Sequence, residues 1–444
     1  MMIDDATLQN ALDACPTPLY LFDQQVLNDR ITRLRASLPS RIKLCYAMKA
    51  NPFIVREASA LADCVEACSP GEVLICANAG VPFEKIVLSG VWKDRRCLDD
   101  LFQADRIPHR FTIESSQQLK DLVELANAYR RRVNVLFRLS SENQFGVDSA
   151  TLKELIAGCK DDPFISIQGI QYYSGTQKTS LKKLDRELNK LHRIVAEVEA
   201  ACSVKLNEIE YGPGLPVEYF DENEERARSA QDEPVAELAT LLDGFPFEGD
   251  IVLELGRSIA ADCGAYLTSV VDVKTTSGQN YAIVDGGMHQ ISYYGHSMAM
   301  KSPVFRKVGA TAGAAQPWNI CGALCTVNDI LAKQAPIVDL SVGDVLAFSR
   351  AGAYCATEGR ALFLSRDLPS VVVRDVSGNM RIARHRLETA SFNSSNGPQD
   401  RSTEQDEKEN GLRKTKSSTF SKTSTRAWIT RHASTSSIRA ASIR

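Results

Sequence analysis

The chain has 444 residues, 44% of them hydrophobic, 24% charged and 7% aromatic. That is globular composition with ample material for a core, and it excludes collagen-like, wholly disordered and disulfide-miniprotein classes. The net charge is −3, but residues 411–444 carry eight Lys or Arg and no Asp or Glu, which leaves −11 on residues 1–410 and argues against a nucleic-acid partner.

The N-terminus, Met1-Met2-Ile3-Asp4-Asp5, is acidic and lacks an apolar run, so no secretory signal is predicted. No apolar stretch is long enough to span a bilayer, so no membrane association is predicted. The twelve cysteines follow no regular framework, and the expectation is reduced thiols in a cytoplasmic protein. Cys64/Cys68 and Cys321/Cys325 are each four apart, with neither CxxC spacing nor a nearby His cluster, so no metal site is predicted.

Residues 1–26 form an N-terminal segment whose Leu19–Phe22 run reads as a strand joining a later β domain. Residues 27–260 then alternate strands with helices. Eight short apolar runs read as strands: Lys43–Ala47, Asp63–Ala67, Lys85–Ser89, Arg110–Ile113, Val133–Leu139, Ile167–Tyr173, Glu208–Tyr211 and Ile251–Leu255. Helical spacing follows most of them, as in Phe53–Ala62, Gly71–Ala79, Ser116–Arg130, Thr151–Cys159 and Ser180–Cys202. Near-continuous apolar strands between helices imply a parallel sheet, and eight units favour a closed (β/α)8 barrel over an open doubly wound sheet. Residues 261–386 change texture. Tyr266–Lys274, Tyr281–Val284, Ile337–Leu340, Asp344–Phe348, Ala361–Leu364 and Val371–Val373 read as strands of a mainly antiparallel β domain. The Ser/Thr/Arg/Lys-rich segment 387–444 reads as a disordered tail.

A barrel gathers reacting groups at the C-terminal ends of its strands. Lys49 ends the first strand, and a desolvated lysine amine there can bond to an aldehyde. Gly212-x-Gly214 and Gly256-Arg257 offer backbone N–H groups and a guanidinium for a phosphate, with the Thr176 hydroxyl nearby. Glu254 is placed to meet a protonated ring nitrogen. An amine for an aldehyde, a phosphate cradle and an acid for a pyridine nitrogen together describe pyridoxal 5'-phosphate.

In this light the chain resembles the fold-type III pyridoxal-phosphate decarboxylases of the ornithine/diaminopimelate/arginine decarboxylase family. The resemblance spans residues 17–375. It rests on Tyr46-Ala47-Met48-Lys49-Ala50-Asn51, Ser69-Pro70-Gly71-Glu72, Phe145-Gly146, Ser174-Gly175-Thr176, Gly212-Pro213-Gly214, Glu254-x-Gly256-Arg257, Cys325-x-x-x-Asp329 and Gly352-Ala353-Tyr354. It implies a barrel followed by a β domain of the alanine-racemase kind, and a homodimer with shared active sites. It implies that Lys49 holds the cofactor aldehyde, with Glu66 beside it and Arg138 next to the cofactor. Thr176, Gly214, Gly256, Arg257 and Tyr354 are implied phosphate contacts, and Glu254 the ring-nitrogen partner. Cys325, reaching in from the other subunit, is the implied proton donor to the α-carbon.

The implied activity is pyridoxal-phosphate-dependent decarboxylation of an α-amino acid. The alternatives are a non-catalytic binding or regulatory module and a pyridoxal-phosphate racemase. Racemases on this fold place an arginine at the ring nitrogen, whereas Glu254 favours decarboxylation. The chain also departs from the family. The stacking residue, usually His, is Tyr173, which still offers an aromatic face. Pro213 removes one N–H from the glycine turn. Relatives acting on free diamino acids usually carry an acid after the cysteine, where this chain has Thr326. Thr326, Asp329, His289 and His296 are the candidate substrate contacts, and the pattern points to a modified or carrier-bound amino acid.

Overall fold

The structure is a computed structural model that describes residues 3–395. Strand β1 (Leu19–Asp23) precedes a ring of eight: β2 (Ile42–Ala47), β3 (Cys64–Ala67), β4 (Ile86–Leu88), β5 (Arg110–Ile113), β6 (Val133–Leu139), β7 (Ile165–Tyr173), β8 (Glu208–Gly212) and β9 (Asp250–Leu255). Each pairs in parallel with the next, and β2 closes on β9 with Cys45 opposite Glu254 and Tyr46 opposite Leu255. The closed barrel, not the open sheet, is the observed form. Apolar strand residues such as Leu44, Val65, Ile86, Phe111, Val135 and Leu253 are buried against the surrounding helices. That burial is the main force holding the ring together.

The helices start where the sequence supplies caps. Before Pro70–Ala79, the Ser69 hydroxyl accepts from Glu72 N at 3.2 Å, while the Glu72 carboxylate accepts from Cys68 N at 2.6 Å. This reciprocal cap fixes the chain as it leaves β3, next to the Lys49 site.

The second sheet is built from β1, β10 (Gly264–Thr276), β11 (Gln279–Val284), β12 (Phe305–Lys307), β13 (Ala315–Cys321), β14 (Ile330–Val338), β15 (Val345–Phe348), β16 (Ser370–Arg374) and β17 (Met380–Arg384). It is mostly antiparallel, with parallel pairings of β1 to β16 and β11 to β13. The N-terminal strand therefore sits inside this sheet, between β10 and β16. The sequence reading fails at Ala361–Leu364, where Phe363–Ser365 forms a short 3-10 turn and Leu362, Phe363 and Leu364 are exposed. Apolar residues alone do not make a strand when no partner edge is in reach.

The packed chain continues past residue 386. Leu387 bridges to Leu368, and Thr389 is buried with its hydroxyl donating to the Arg366 carbonyl at 2.9 Å. Of the expected disordered tail, residues 396–444 lie outside the described residues.

Two hydrogen bonds tie barrel to sheet at the site. Tyr354 N donates to Ala50 O at 2.6 Å, and Asn51 Nδ2 donates to Gly352 O at 2.8 Å. Gly352 is needed for this approach, because a Cβ there would stand 1.9 Å from the Ala260 carbonyl oxygen.

Candidate active site

Lys49 sits on a one-turn 3-10 helix, Met48–Ala50, directly after β2. Its ammonium meets two carboxylates from other strands: Glu66 Oε2 on β3 at 2.5 Å and Glu254 Oε1 on β9 at 2.9 Å. Glu66 and Glu254 are nearly closed to solvent, while the Lys49 side chain keeps 40% of its surface open to the cavity. Burial opposes the charge on Lys49, but the pull of Glu254 and then Glu66 outweighs it and raises its pKa well above the ordinary lysine value. Burial likewise acts to raise Glu66, but the Lys49 ammonium overrides it and holds the carboxyl down at about 2. Glu254 goes the other way. Burial, then the negative charge of Glu66, pushes it up to about 7.

A single cavity joins Lys49 and Glu254 to Tyr173, Thr176, Gly214, Gly256, Arg257 and Tyr354. At its far end Arg257 is held from several sides. Its Nε donates to Thr176 Oγ1 at 3.2 Å and its Nη1 to the Tyr219 hydroxyl at 2.9 Å. The rings of Tyr354 and Tyr294 lie 4.5 and 4.9 Å from the guanidinium carbon. Tyr219 and Tyr294 were not among the sequence-derived candidates. A guanidinium fixed by cation–π contacts loses little freedom on meeting an anion. Beside it, Gly214 adopts φ +63°, and a Cβ there would lie 2.0 Å from Gly175 O. The two phosphate-side turns therefore touch through backbone alone.

A buried ion pair fixes this end from below. Lys178 Nζ donates to Glu187 Oε2 at 2.7 Å, and the Tyr211 hydroxyl donates to the same oxygen at 2.7 Å. Ser174 Oγ donates to the other oxygen of Glu187, while Lys178 N donates to Gly214 O at 2.9 Å. Because both ions are bonded, the pair fixes the loop that offers Thr176.

Arg138 stands near the Lys49 end. Its Nη1 is 3.3 Å from Glu114 Oε1 and its guanidinium carbon lies 4.8 Å from the Phe145 ring centroid. Glu114, another residue the sequence reading missed, also accepts from Gly146 N at 3.3 Å. It thereby links the Phe145-Gly146 motif to Arg138.

The candidate substrate contacts are more scattered. Asp329 needs correction as a partner for a distal ammonium. It is buried, with one carboxylate oxygen accepting from Met288 N at 2.7 Å and the other from Leu324 N at 2.8 Å. It clamps the 288–296 segment to the loop that carries Cys325. Cys325 itself is exposed and does not line the Lys49 cavity. Thr326 is half-buried beside it. His289 is buried, and both its ring nitrogens lack hydrogen-bond partners. Burial, then the charge of Arg366, lowers it to about 4, so it is neutral near pH 7. His296 Nε2 lies 3.2 Å from Leu331 O, and burial lowers its pKa.

The donor set fits pyridoxal phosphate. It offers one amine for the aldehyde, one carboxylate for the ring nitrogen, an aromatic face in Tyr173, and a guanidinium with a hydroxyl for the phosphate, all around one cavity. The fold and site thus define a barrel enzyme of the pyridoxal-phosphate class. Residues 19–352 match the family described as pyridoxal-dependent decarboxylase, C-terminal sheet domain. The chain belongs to that family and is a pyridoxal-phosphate-dependent amino-acid decarboxylase.

Its relatives agree. It is 26% identical over 382 residues to diaminopimelate decarboxylase of Aquifex aeolicus, covering 80% of this chain and 86% of the relative. It is 24% identical over 397 residues to L-glutamyl-[BtrI acyl-carrier protein] decarboxylase of Niallia circulans, covering 84% and 92%. In fold it is similar to the crystal structure of diaminopimelate decarboxylase from Helicobacter pylori complexed with L-lysine, with a TM-score of 0.74, 23% identity, and 86% and 97% of the two chains covered. These relatives lend no support to the racemase or the binding-module alternative. Among the described residues, no helix is long and apolar enough to cross a membrane.

Proposed function

We propose that this decarboxylase acts on an α-amino acid without a free distal ammonium group, either modified or held on a carrier protein. One observation carries the reading. The position after Cys325 is Thr326, and the nearest acid in that loop, Asp329, has both oxygens committed to backbone N–H groups. A distal ammonium brought to this loop would meet no available carboxylate there, and its desolvation would go uncompensated. The similarity to a decarboxylase of a carrier-bound glutamyl group supports the same reading. Carbon dioxide release with free ornithine, lysine and diaminopimelate, beside a glutamyl thioester on a carrier protein, tests it. The thioester is expected to turn over at least about tenfold faster, a difference of about 1.4 kcal/mol in transition-state stabilisation. Efficient use of any free diamino acid would overturn it.

Bound pyridoxal phosphate supplies an aldehyde that takes up amines and a ring that accepts the electron pair left when the carboxylate departs. The protein's own groups do the rest. Arg257 and Thr176 would hold the phosphate, Tyr173 would offer its aromatic face to the ring, and Glu254 would hold the ring-nitrogen proton. Lys49 Nζ must lose a proton before it can act; Glu66, held at about 2 by the same ammonium, is its counter-ion and not the proton acceptor. Arg138, paired with Glu114, restrains the Phe145-Gly146 turn beside the Lys49 end.

Cys325, exposed and outside the cavity, acts in a second copy of the chain, so the enzyme works as a homodimer. Its thiol returns a proton to the α-carbon in the partner's site. Mixing Lys49→Ala and Cys325→Ala proteins, each inactive alone, is expected to restore activity, because some mixed dimers hold one site with both residues intact. No recovery on mixing, under conditions where subunits exchange, would mean that each chain supplies its own donor. The enzyme works in the cytoplasm. All twelve cysteines are free thiols, and the barrel-lining Cys45 and Cys64 adjoin without a disulfide.

A further inference from the structure

A third carboxylate lies inside the barrel with the two that meet Lys49. Glu210 on β8 is fully buried, and one oxygen from each of Glu66, Glu210 and Glu254 lies within 4.8 Å of the others. Glu210 Oε1 accepts from Gln171 Nε2 at 2.6 Å, and that amide is in turn 3.3 Å from Ser89 Oγ. Glu210 Oε2 has no hydrogen-bond partner. The Lys49 ammonium bonds to Glu66 and Glu254 but not to Glu210.

Among the described residues, no other cation bonds to Glu210. Among the titratable groups facing it, Glu208 is already paired with Arg110 at 2.8 Å, and Cys45 and Cys64 are buried thiols. Arg138 acts on Glu66 and is paired with Glu114. Lys93 and Arg138 act on Glu66 without bonding to it, so one directly bonded ammonium serves three crowded carboxylates, and like charges this close in a low-dielectric interior do not all ionise. Burial first, and then the charges on Glu254 and Glu66, raise the Glu210 pKa well above the ordinary carboxyl value.

We propose that Glu210 is a positioning residue for Glu254: a neutral carboxylic acid that carries the trio's proton and so leaves Glu254 to face the cofactor's ring nitrogen as an anion. The proposal rests on the cofactor site described above, but its central claim, a proton on Glu210, is testable without cofactor. A carboxyl that keeps its proton in the fold but loses it on unfolding makes the native state weaker as pH rises above the ordinary carboxyl value. Glu210→Gln removes that dependence.

The test is denaturant unfolding of the full-length chain, as purified and after cofactor removal, from about pH 5 to about pH 8. The folding constant of Glu210→Gln is expected to gain on wild type by up to about tenfold for each pH unit until Glu210 ionises in the fold. Parallel curves, or a gap that closes as pH rises, would overturn the proposal. In a Glu254→Gln background the pressure on Glu210 falls, so the gain is expected to level off at lower pH. A gap untouched by Glu254→Gln would show that Glu210 is not coupled to Glu254, and would overturn the positioning role. If Glu210→Gln does not fold, infrared spectra of wild type and Glu210→Asp decide. A neutral-carboxyl stretch that shifts in the variant supports the proposal, and an unchanged spectrum overturns it. Failure of cofactor binding would instead appear as a missing absorbance band with all of these stability results intact.

Discussion

Wild-type protein with pyridoxal phosphate is expected to show an absorbance band near the visible edge, and Lys49→Ala is expected to lack it and to lose activity by roughly 10^4-fold or more. The reason is geometric. Among the described residues Lys49 holds the only amine lining the cavity at the barrel mouth, and it stands between the two buried carboxylates, Glu66 and Glu254. Borohydride is expected to bleach the wild-type band and to change nothing in the variant. Removing the ammonium also leaves Glu66 and Glu254 without their shared counter-ion, so one of them must take up a proton. A variant that kept both band and turnover would place the reacting amine elsewhere. Retention of the phosphate end without the amine would appear as residual cofactor binding that borohydride does not make permanent.

Gly214→Ala is the second large effect expected. The new methyl group would lie 2.0 Å from Gly175 O, and the backbone there already has φ +63°, where a side chain adds strain. Both atoms in the clash belong to loops held by the Lys178–Glu187 pair, so neither loop can retreat freely. Combined overpacking and strain should destabilise the fold by about 3 kcal/mol. Affinity for pyridoxal phosphate should fall about 100-fold, because the clash displaces Gly175-Thr176 from the phosphate end. Equilibrium titration of the absorbance band measures this. Gly244→Ala is the control, since it has open space around its Cβ and φ −87°. It should change neither quantity by much. Equal behaviour of the two variants would show that the contact between the glycine turns does not shape the phosphate site.

The barrel was readable from sequence because its strands are buried on both faces, which leaves near-continuous apolar runs such as Val133–Leu139. The site at the strand ends was readable because backbone turns and charged residues interrupt those runs at fixed places. Less was visible where a signal was diluted. The helix Glu224–Asp243 contains Pro234 and a polar first half, which hid its spacing. Strand Ala315–Cys321 contains Pro317 and exposes its first residues, so it lacked a strand's alternation. Glu210 was missed for a different reason. An acid between apolar neighbours, as in Ile209-Glu210-Tyr211, reads as one polar position in a strand, and only closure of the ring reveals that it points at other acids. Asp329 shows the opposite error. Its position in the cysteine motif suggested a ligand contact, but two backbone N–H groups had already claimed it.

That Asp329 clamp has a further consequence for how such enzymes diversify. It makes the 288–296 segment and the Cys325 loop a single mechanical unit, hung on the sheet and touching the strand-end site where the Tyr294 ring meets Arg257. On the function proposed above, substitutions in that unit away from Tyr294 would tune substrate choice while the Lys49–Glu254 geometry stands, whereas a change at Tyr294 would reach Arg257 as well.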